Sequence, residues 1–354
     1  MRRIGNIWNK LKSPENISKA FRDAITKTKN RQRFASRREE IIANTSSILE
    51  AQNYELFRDY SRFIMYEPKE REVHFPAHFE VNVIHKCLLN VIGDRIIRYI
   101  PQFSRANIKN RGSHQAISKL SKFARTHPDW YYFKGDVRKF FDNIDHEFLK
   151  LKLRRLIKDH LVLELCDNLI DSYHTSPGRG LPIGNHTSPY FANLFLAEID
   201  HEIVEQYKVE FVTRYMDDIV ACFKTKEEAT QFRLWFTSKL NAVNLELKNN
   251  YRVDKLANGV DFLGYVIRPT HVRLRKRLKN NIKRKTKRCK DLDDESFKQQ
   301  MASYWGWCKY ADAMHLIKSI WSDSQIKLFT NPKPKKKRKK KAKRPPRNTH
   351  IQEY

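Results

Sequence analysis

The sequence predicts an α+β protein: an antiparallel sheet packed on helices, then a helical region and a disordered basic C-terminal tail. Three observations carry that prediction. Phe211-Val212 and Ile219-Val220-Ala221-Cys222-Phe223 are apolar runs on either side of Asp217-Asp218, the pattern of a strand, a tight turn and a returning strand. Tyr131 to Val137 is a second apolar stretch with an acid, Asp136, near its end. Long segments with helical spacing surround both, as at Val83, Ile84, Cys87, Leu88 and Val91 within Phe79–Tyr99.

From the N-terminus, residues 1–60 are polar and rich in Lys and Arg. Their apolar spacing at Ile17, Ala20, Phe21 and Ala24, and at Ile41, Ile42 and Ile48, predicts two or three helices. A strand around Arg62–Tyr66 runs into a turn set by Pro68. After the helix at Phe79–Tyr99, Ser104–Arg111 is a polar loop, and Gly112-Ser113-His114 leads into a helix through Leu120 and Phe123. One helix is expected from about His146 to Asp171. Ser176–Gly184 is a loop rich in glycine and proline, and it opens a helix from Pro189 to about Tyr207 with proline in the first turn. Lys226–Val243 reads as an amphipathic helix, and Leu245–Lys248 and Val260–Ile267 as strands. Residues 276–330 read as helical, with aromatic residues at Tyr304, Trp305, Trp307 and Tyr310. From Asn331 the composition turns to Lys, Arg and Pro, which cannot bury a core. The expected divisions are 1–270, 271–330 and 331–354.

The chain has 354 residues, with 70 Lys+Arg against 40 Asp+Glu and a net charge of +30, so a polyanion is the first-choice partner. The excess is local. Residues 268–290 hold twelve Lys/Arg and no acid, and residues 332–347 hold eleven and no acid. The five cysteines are scattered, without Cys-x-x-Cys spacing, which argues against a disulfide framework or a zinc site and for a reducing compartment. Residues 1–22 lack the apolar core of a signal peptide and no stretch approaches a membrane span, so a cytoplasmic protein is expected, with no membrane partner.

Asp-Asp in a turn between buried strands is costly unless a cation neutralises it. Magnesium suits carboxylate oxygens, being a hard divalent ion. Phosphoryl transfer by two metals needs acids that converge on ions about 3.5–4 Å apart. Asp217 supplies one acid. Asp136 is the best partner, because antiparallel strands lying side by side would bring the two together. A solvated Asp-Asp turn and a helix-capping Asp136 are the plain alternatives.

Taken together, the Asp136 strand, the Gly-rich loop opening a helix, Tyr215-Met216-Asp217-Asp218 and Phe262-Leu263-Gly264-Tyr265 resemble the palm of a reverse transcriptase, over roughly residues 60–330. Several stretches are more similar still to the reverse transcriptases of diversity-generating retroelements. They are Tyr66-Glu67-Pro68-Lys69, Gly112-Ser113-His114, Ile183-Gly184-Asn185-His186-Thr187-Ser188, Arg214–Val220, and Pro269-Thr270-His271 after Phe262–Tyr265. The resemblance implies a right-hand polymerase with fingers and palm (1–270), a helical thumb (271–330) and a basic tail. It implies two Mg2+ ions, deoxynucleoside triphosphates, a dedicated RNA template, a template-primer duplex and a small basic accessory protein that forms a ring. Other prokaryotic reverse transcriptases, of phage-defence or retron type, are the neighbouring possibility. A decayed, RNA-binding polymerase scaffold is a third, against which the intact Asp136, Asp217 and Asp218 count.

By resemblance, Asp136 and Asp217 are the metal ligands, with the Val137 carbonyl as a backbone ligand and Asp218 in support. Lys69 and Arg71 correspond to residues that hold the triphosphate, where two cations could clamp phosphate oxygens, the alternative being a solvated basic turn. Arg138 joins the nucleotide-binding set. Phe141 corresponds to the bulky residue under the sugar, which leaves no room for a 2′-hydroxyl, with simple core packing as the alternative. Lys248 corresponds to the lysine proposed to protonate the leaving pyrophosphate, a plain surface lysine being the alternative. Ile183 and Gly184 lie in the loop that faces nucleotide and template base, where glycine lets the backbone come close. Most reverse transcriptases have Gln where this chain has Ile183, and the retroelement group has an aliphatic residue there. That implies error-prone copying, notably at template adenines. Ser188-Pro189 departs from the Ser-Gln common in the retroelement group.

Residues 273–290 are expected to form a helix whose charged face, including Arg273, Arg275, Lys276, Arg277, Lys283, Arg284 and Lys287, tracks a nucleic-acid backbone. The tail segment Pro334-Lys335-Lys336-Lys337-Arg338-Lys339 reads as an RNA-gripping arm, the alternative being a nuclear import signal.

Overall fold

The computed structural model describes residues 2–26, 28, 30–66 and 70–330. Lys69 and the basic tail from residue 331, both singled out in the sequence, lie outside the described residues. The chain divides into two compact units, one ending at Arg275 and the other beginning at Lys276.

The first unit opens with α1 (Trp8–Leu11), α2 (Pro14–Ile25), α3 (Arg31–Ser36) and α4 (Arg38–Ala51). Ser13 caps α2 by accepting from Asn16 N–H, and the predicted stripe of Ile17, Ala20, Phe21 and Ala24 is its buried face. Strands β1 (Tyr60–Met65) and β2 (Arg71–Pro76) form an antiparallel hairpin with Met65 opposite Arg71. Helix α5 (Phe79–Tyr99) has the bounds its apolar spacing predicts. Next come α6 (Ser113–Thr126) and β3 (Tyr131–Asp136).

The single helix expected over His146–Asp171 is two helices, α7 (His146–Leu156) and α8 (His160–Asp171). The break falls at Asp159, which caps α8 through Val162 N–H and also accepts from the backbone N–H of Ile7 and Trp8. Helix α9 (Ser188–Glu205) leads to β4 (Phe211–Tyr215) and β5 (Asp218–Phe223), followed by α10 (Lys226–Asn241). A capping box of Thr225 and Glu228 starts α10.

Leu245–Lys248 is not a strand. Leu247 makes an isolated bridge to Val137, and the strand that pairs with β3 is the more polar β6 (Arg252–Lys255). The stretch Val260–Ile267, expected as one strand, is a hairpin of β7 (Val260–Phe262) and β8 (Tyr265–Ile267). Its two-residue turn has φ 47° at Leu263 and 84° at Gly264, the left-handed pair that suits tight hairpins. β9 (Val272–Leu274) completes that sheet. The helix expected over 273–290 therefore starts later, at Lys276. Arg273 is exposed on β9, and Arg275 precedes the helix with its side chain on Asp261.

The main sheet has the order β4-β5-β3-β6 and every neighbouring pair is antiparallel. α10 crosses β3, β5 and β6, and Phe232 and Phe236 set their rings edge-on to Phe133. Cys87, Cys166 and Cys222 are buried in this unit.

The second unit contains α11 (Lys276–Arg288), α12 (Asp294–Cys308), α13 (Met314–Ile320) and α14 (Asp323–Thr330). Its core gathers Ile282, Phe297, Met301, Trp305, Ile317 and Trp321, together with Cys289 and Cys308. The Trp321 indole N–H donates to Thr286 Oγ1 at 2.9 Å. Among the described residues no helix is long and apolar enough to cross a membrane.

Candidate active site

Antiparallel pairing of β3 with β5 puts Asp136 opposite Asp218, and Asp217 sits beside them at the tip of the β4–β5 hairpin. The Asp217 main-chain carbonyl accepts from Val137 N–H at 3.3 Å, which locks the tip to the end of β3. Tip and strand end thus bring the Asp136 and Asp217 carboxyl groups within hydrogen-bond contact.

Burial raises the Asp217 carboxyl above the ordinary carboxylate range, and the negative charge of Asp136 adds to the push. Burial also pushes Asp218 up to about 6, against the opposing pull of Lys134. Lys134 Nζ lies 2.8 Å from Asp218 Oδ1, an ion pair at the strand end. Lys248 donates from Nζ to Asp136 Oδ1, and its main-chain N–H donates to the Asp136 carbonyl at 2.9 Å.

The converging carboxyl groups of Asp136, Asp217 and Asp218 make a hard-oxygen donor set, which fits magnesium. Among the described residues no group of three or more His, Cys, Asp or Glu side chains has metal-holding geometry.

The structure gathers Asp136, Val137, Asp217, Asp218 and Lys248 in one place. Arg71 is exposed at the start of β2. The loop carrying Ile183 and Gly184 docks on the same strand, with Gly184 N–H donating to the His74 carbonyl at 2.9 Å. A Cβ at Gly184 would overlap that carbonyl oxygen, so the glycine serves a backbone-to-backbone approach. Ile183 beside it is 38% exposed. Phe141 lies in a short 3-10 turn after β3, not on a strand, and its carbonyl accepts from Leu181 N–H at 2.8 Å. Arg138 is exposed and paired with Glu246 at 3.0 Å. On α11, Lys276, Arg277, Lys283, Arg284 and Lys287 are all exposed.

Lys134 was not among the sequence candidates. Strand parity puts it on the same face as Asp136, two residues on, so the signal was present.

An α+β fold in which an antiparallel sheet sets strand-end acids side by side is that of a right-hand polymerase, and the sheet is its palm. Residues 79–267 match the family described as reverse transcriptase (RNA-dependent DNA polymerase). The chain belongs to the reverse transcriptase family.

Among curated proteins, it is 29% identical over 122 residues to the uncharacterized 91 kDa protein in the cob intron of Schizosaccharomyces pombe. It is 30% identical over 107 residues to Protein YkfC of Escherichia coli, and 30% identical over 96 residues to a putative COX1/OXI3 intron 2 protein of Saccharomyces cerevisiae. Those stretches cover 32%, 27% and 25% of this chain, but only 15%, 28% and 11% of the three relatives.

Among solved structures, apo telomerase from Candida tropicalis, truncated from its C-terminal domain, matches with a TM-score of 0.48 at 12% identity, covering 62% of this chain and 55% of that one. Telomerase from Candida albicans in complex with a telomeric RNA fragment matches with a TM-score of 0.47 at 11% identity, covering 76% and 62%.

Proposed function

We propose that the protein is an RNA-directed DNA polymerase that copies a dedicated RNA template into cDNA with magnesium and deoxynucleoside triphosphates. The observation that carries this reading is the convergence of Asp136 and Asp217 from two antiparallel strands. In the proposal these two carboxylates hold the ions, with the Val137 carbonyl as a main-chain ligand and Asp218 in support. Bound magnesium supplies positive charge to the attacking and leaving oxygens of the transferred phosphoryl group.

The chain's own residues do the rest. Lys69, Arg71 and Arg138 bind the triphosphate, and Phe141 stands under the sugar. Lys248, which hydrogen-bonds Asp136, delivers a proton to the leaving pyrophosphate. Ile183 and Gly184 face the nascent pair. Residues 1–270 act as fingers and palm and 271–330 as thumb. The exposed cations of α11 follow the template-primer backbone, and so do Arg273 and Arg275. The proposed setting is cytoplasmic.

The test is primer extension on a defined RNA. Asp136→Asn and Asp217→Asn should abolish extension and leave RNA binding nearly intact, because an amide keeps the shape and loses the charge that holds magnesium. Substantial extension by either variant refutes the assignment.

The finer reading is a diversity-generating retroelement, with a ring-forming basic accessory protein and error-prone copying at template adenines. Support comes from the aliphatic Ile183, which cannot hydrogen-bond the nucleotide as a glutamine could. A single lost contact of about 1–3 kcal/mol corresponds to roughly 5- to 150-fold in selectivity. Sequencing cDNA made by wild type and by Ile183→Gln checks it: the wild type should err at adenines, and the variant should err less. Ser188-Pro189 favours a second reading, another prokaryotic reverse transcriptase, for which adenine copying would be as accurate as copying of the other bases.

A further inference from the structure

Beneath the hairpin tip lies a buried polar cluster that no step of the proposed reaction uses. Arg214 on β4 and Asp200 and Asn193 on α9 are each 1% exposed. The Arg214 guanidinium donates from Nε and Nη2 to the Asp200 carboxylate. From Nη1 it donates to Asn193 Oδ1 at 3.2 Å and to the Met216 carbonyl at 2.6 Å. Asn193 also donates to the Ala106 carbonyl at 2.9 Å, and its Oδ1 accepts from Ser104 Oγ at 3.3 Å.

A buried ion pair is a weak source of stability, since well-packed apolar side chains of similar volume commonly do as well or better. The placement of this pair therefore asks for another reason, and the Met216 carbonyl supplies it. Met216 has φ 57°, a left-handed conformation that side-chain-bearing residues hold only when their surroundings over-determine it. Its carbonyl belongs to the peptide that joins it to Asp217. Arg214 grips that peptide from below, and Val137 N–H grips the next one at the Asp217 carbonyl. An apolar replacement for Arg214 could fill the space but could not hold an oxygen.

We infer that Arg214 is a positioning residue. Anchored by Asp200 and Asn193, it fixes the peptide before Asp217 and so sets the carboxylate in the geometry that binds the divalent ion. The inference rests on the reading that Asp136 and Asp217 hold the metals.

The experiment uses the full chain, with Mn2+ as the probe and binding followed by electron paramagnetic resonance, alongside thermal melts and extension assays. Arg214→Lys keeps the charge but loses the fork that reaches Asp200 and Met216 together. It should weaken Mn2+ binding tenfold or more and raise the Mg2+ needed for half-maximal extension in parallel, with RNA affinity unchanged. Asp200→Asn, a milder change should the lysine variant fail to fold, should weaken Mn2+ in the same direction. Leu196→Ala removes a buried side chain from the same helix. It should melt earlier yet bind Mn2+ like the wild type.

Wild-type Mn2+ affinity in the folded Arg214→Lys or Asp200→Asn variant overturns the inference while leaving the polymerase reading intact. So does a loss of Mn2+ affinity in Leu196→Ala in proportion to its melting point, which would make the cluster a matter of stability alone. If wild-type Mn2+ binding does not depend on Asp217, the metal reading falls and this inference falls with it.

Discussion

Gly184→Ala tests how the nucleotide-facing loop is held. Gly184 does not have a positive φ, so its constraint is space alone. An added Cβ would overlap the His74 carbonyl oxygen and stand 2.9 Å from Phe75 Cβ, both in β2. Backbone cannot rotate aside as a side chain can, so loop or strand must move and the Gly184–His74 hydrogen bond is lost. That bond is worth about 0.5–1.5 kcal/mol, and forced overpacking costs about 1–3 kcal/mol. With partial relaxation the sum is roughly 2–4 kcal/mol, a fall in melting temperature of about 4–8 °C for a unit of this size. A displacement of about 1 Å at a substrate-positioning element can slow turnover by roughly 100-fold. Thermal melts and single-nucleotide extension read the two effects, with Ile183→Ala as a control that leaves the melt unchanged, its side chain being partly exposed. A Gly184→Ala protein that melts and extends like the wild type would show that the loop does not depend on β2, and the reasoning would be wrong.

His85 is fully buried, its Nδ1 on Thr187 Oγ1 at 3.0 Å, and burial lowers its pKa to about 3. Unfolded chain takes up a proton below about 6.5 and folded protein does not, so this histidine's contribution to stability is complete above that pH and is lost as pH falls toward 3. Denaturation at pH 6.5 and pH 5 should differ by roughly 2 kcal/mol on this account, and His85→Asn should flatten that dependence; an unchanged slope in the variant would assign the pH effect elsewhere. Replacing Lys283 and Arg284 together with alanine should lower the slope of log affinity for RNA against log salt by about one unit per lost phosphate contact, and an unaltered slope would remove α11 from the interface. Deleting residues 332–347 removes eleven positive charges, so RNA affinity should fall and its salt slope flatten while extension per bound template persists. An unchanged slope would mean that the tail serves something other than RNA.

Where burial leaves a pattern, the sequence could be read. Helix α5 has the bounds its apolar stripe predicts, and the central strands β5 and β3 follow apolar runs because a central strand is covered on both faces. β6 was missed because an edge strand contributes backbone pairing more than side-chain burial, and Arg252-Val253-Asp254-Lys255 has no apolar run. Leu245–Lys248 alternates like a strand, but only Leu247 bridges. The turn inside Val260–Ile267 was hidden because Leu263 occupies a left-handed position that glycine or asparagine usually marks.

The approach of Asp136 to Asp217 was foreseeable from acids at the ends of apolar runs. The Arg214–Asp200 pair was not, because a helix-to-strand connection separates its partners and no local spacing records the contact.

Every one of the five cysteines is buried, three in the first unit and two in the second. Burial pushes the Cys87 thiol up to about 12 and raises Cys166 and Cys222 as well, so these three offer almost no thiolate to a reagent in the folded chain. Thiol alkylation therefore becomes a native clock. Modification of Cys87 on α5, Cys166 on α8 and Cys222 on β5 times the opening of one unit, while Cys289 and Cys308 time the opening of the other. Pulse labelling read by mass spectrometry can follow both without a single introduced probe, and a maleimide dye placed at one new surface cysteine would meet no competing site while the protein stays folded.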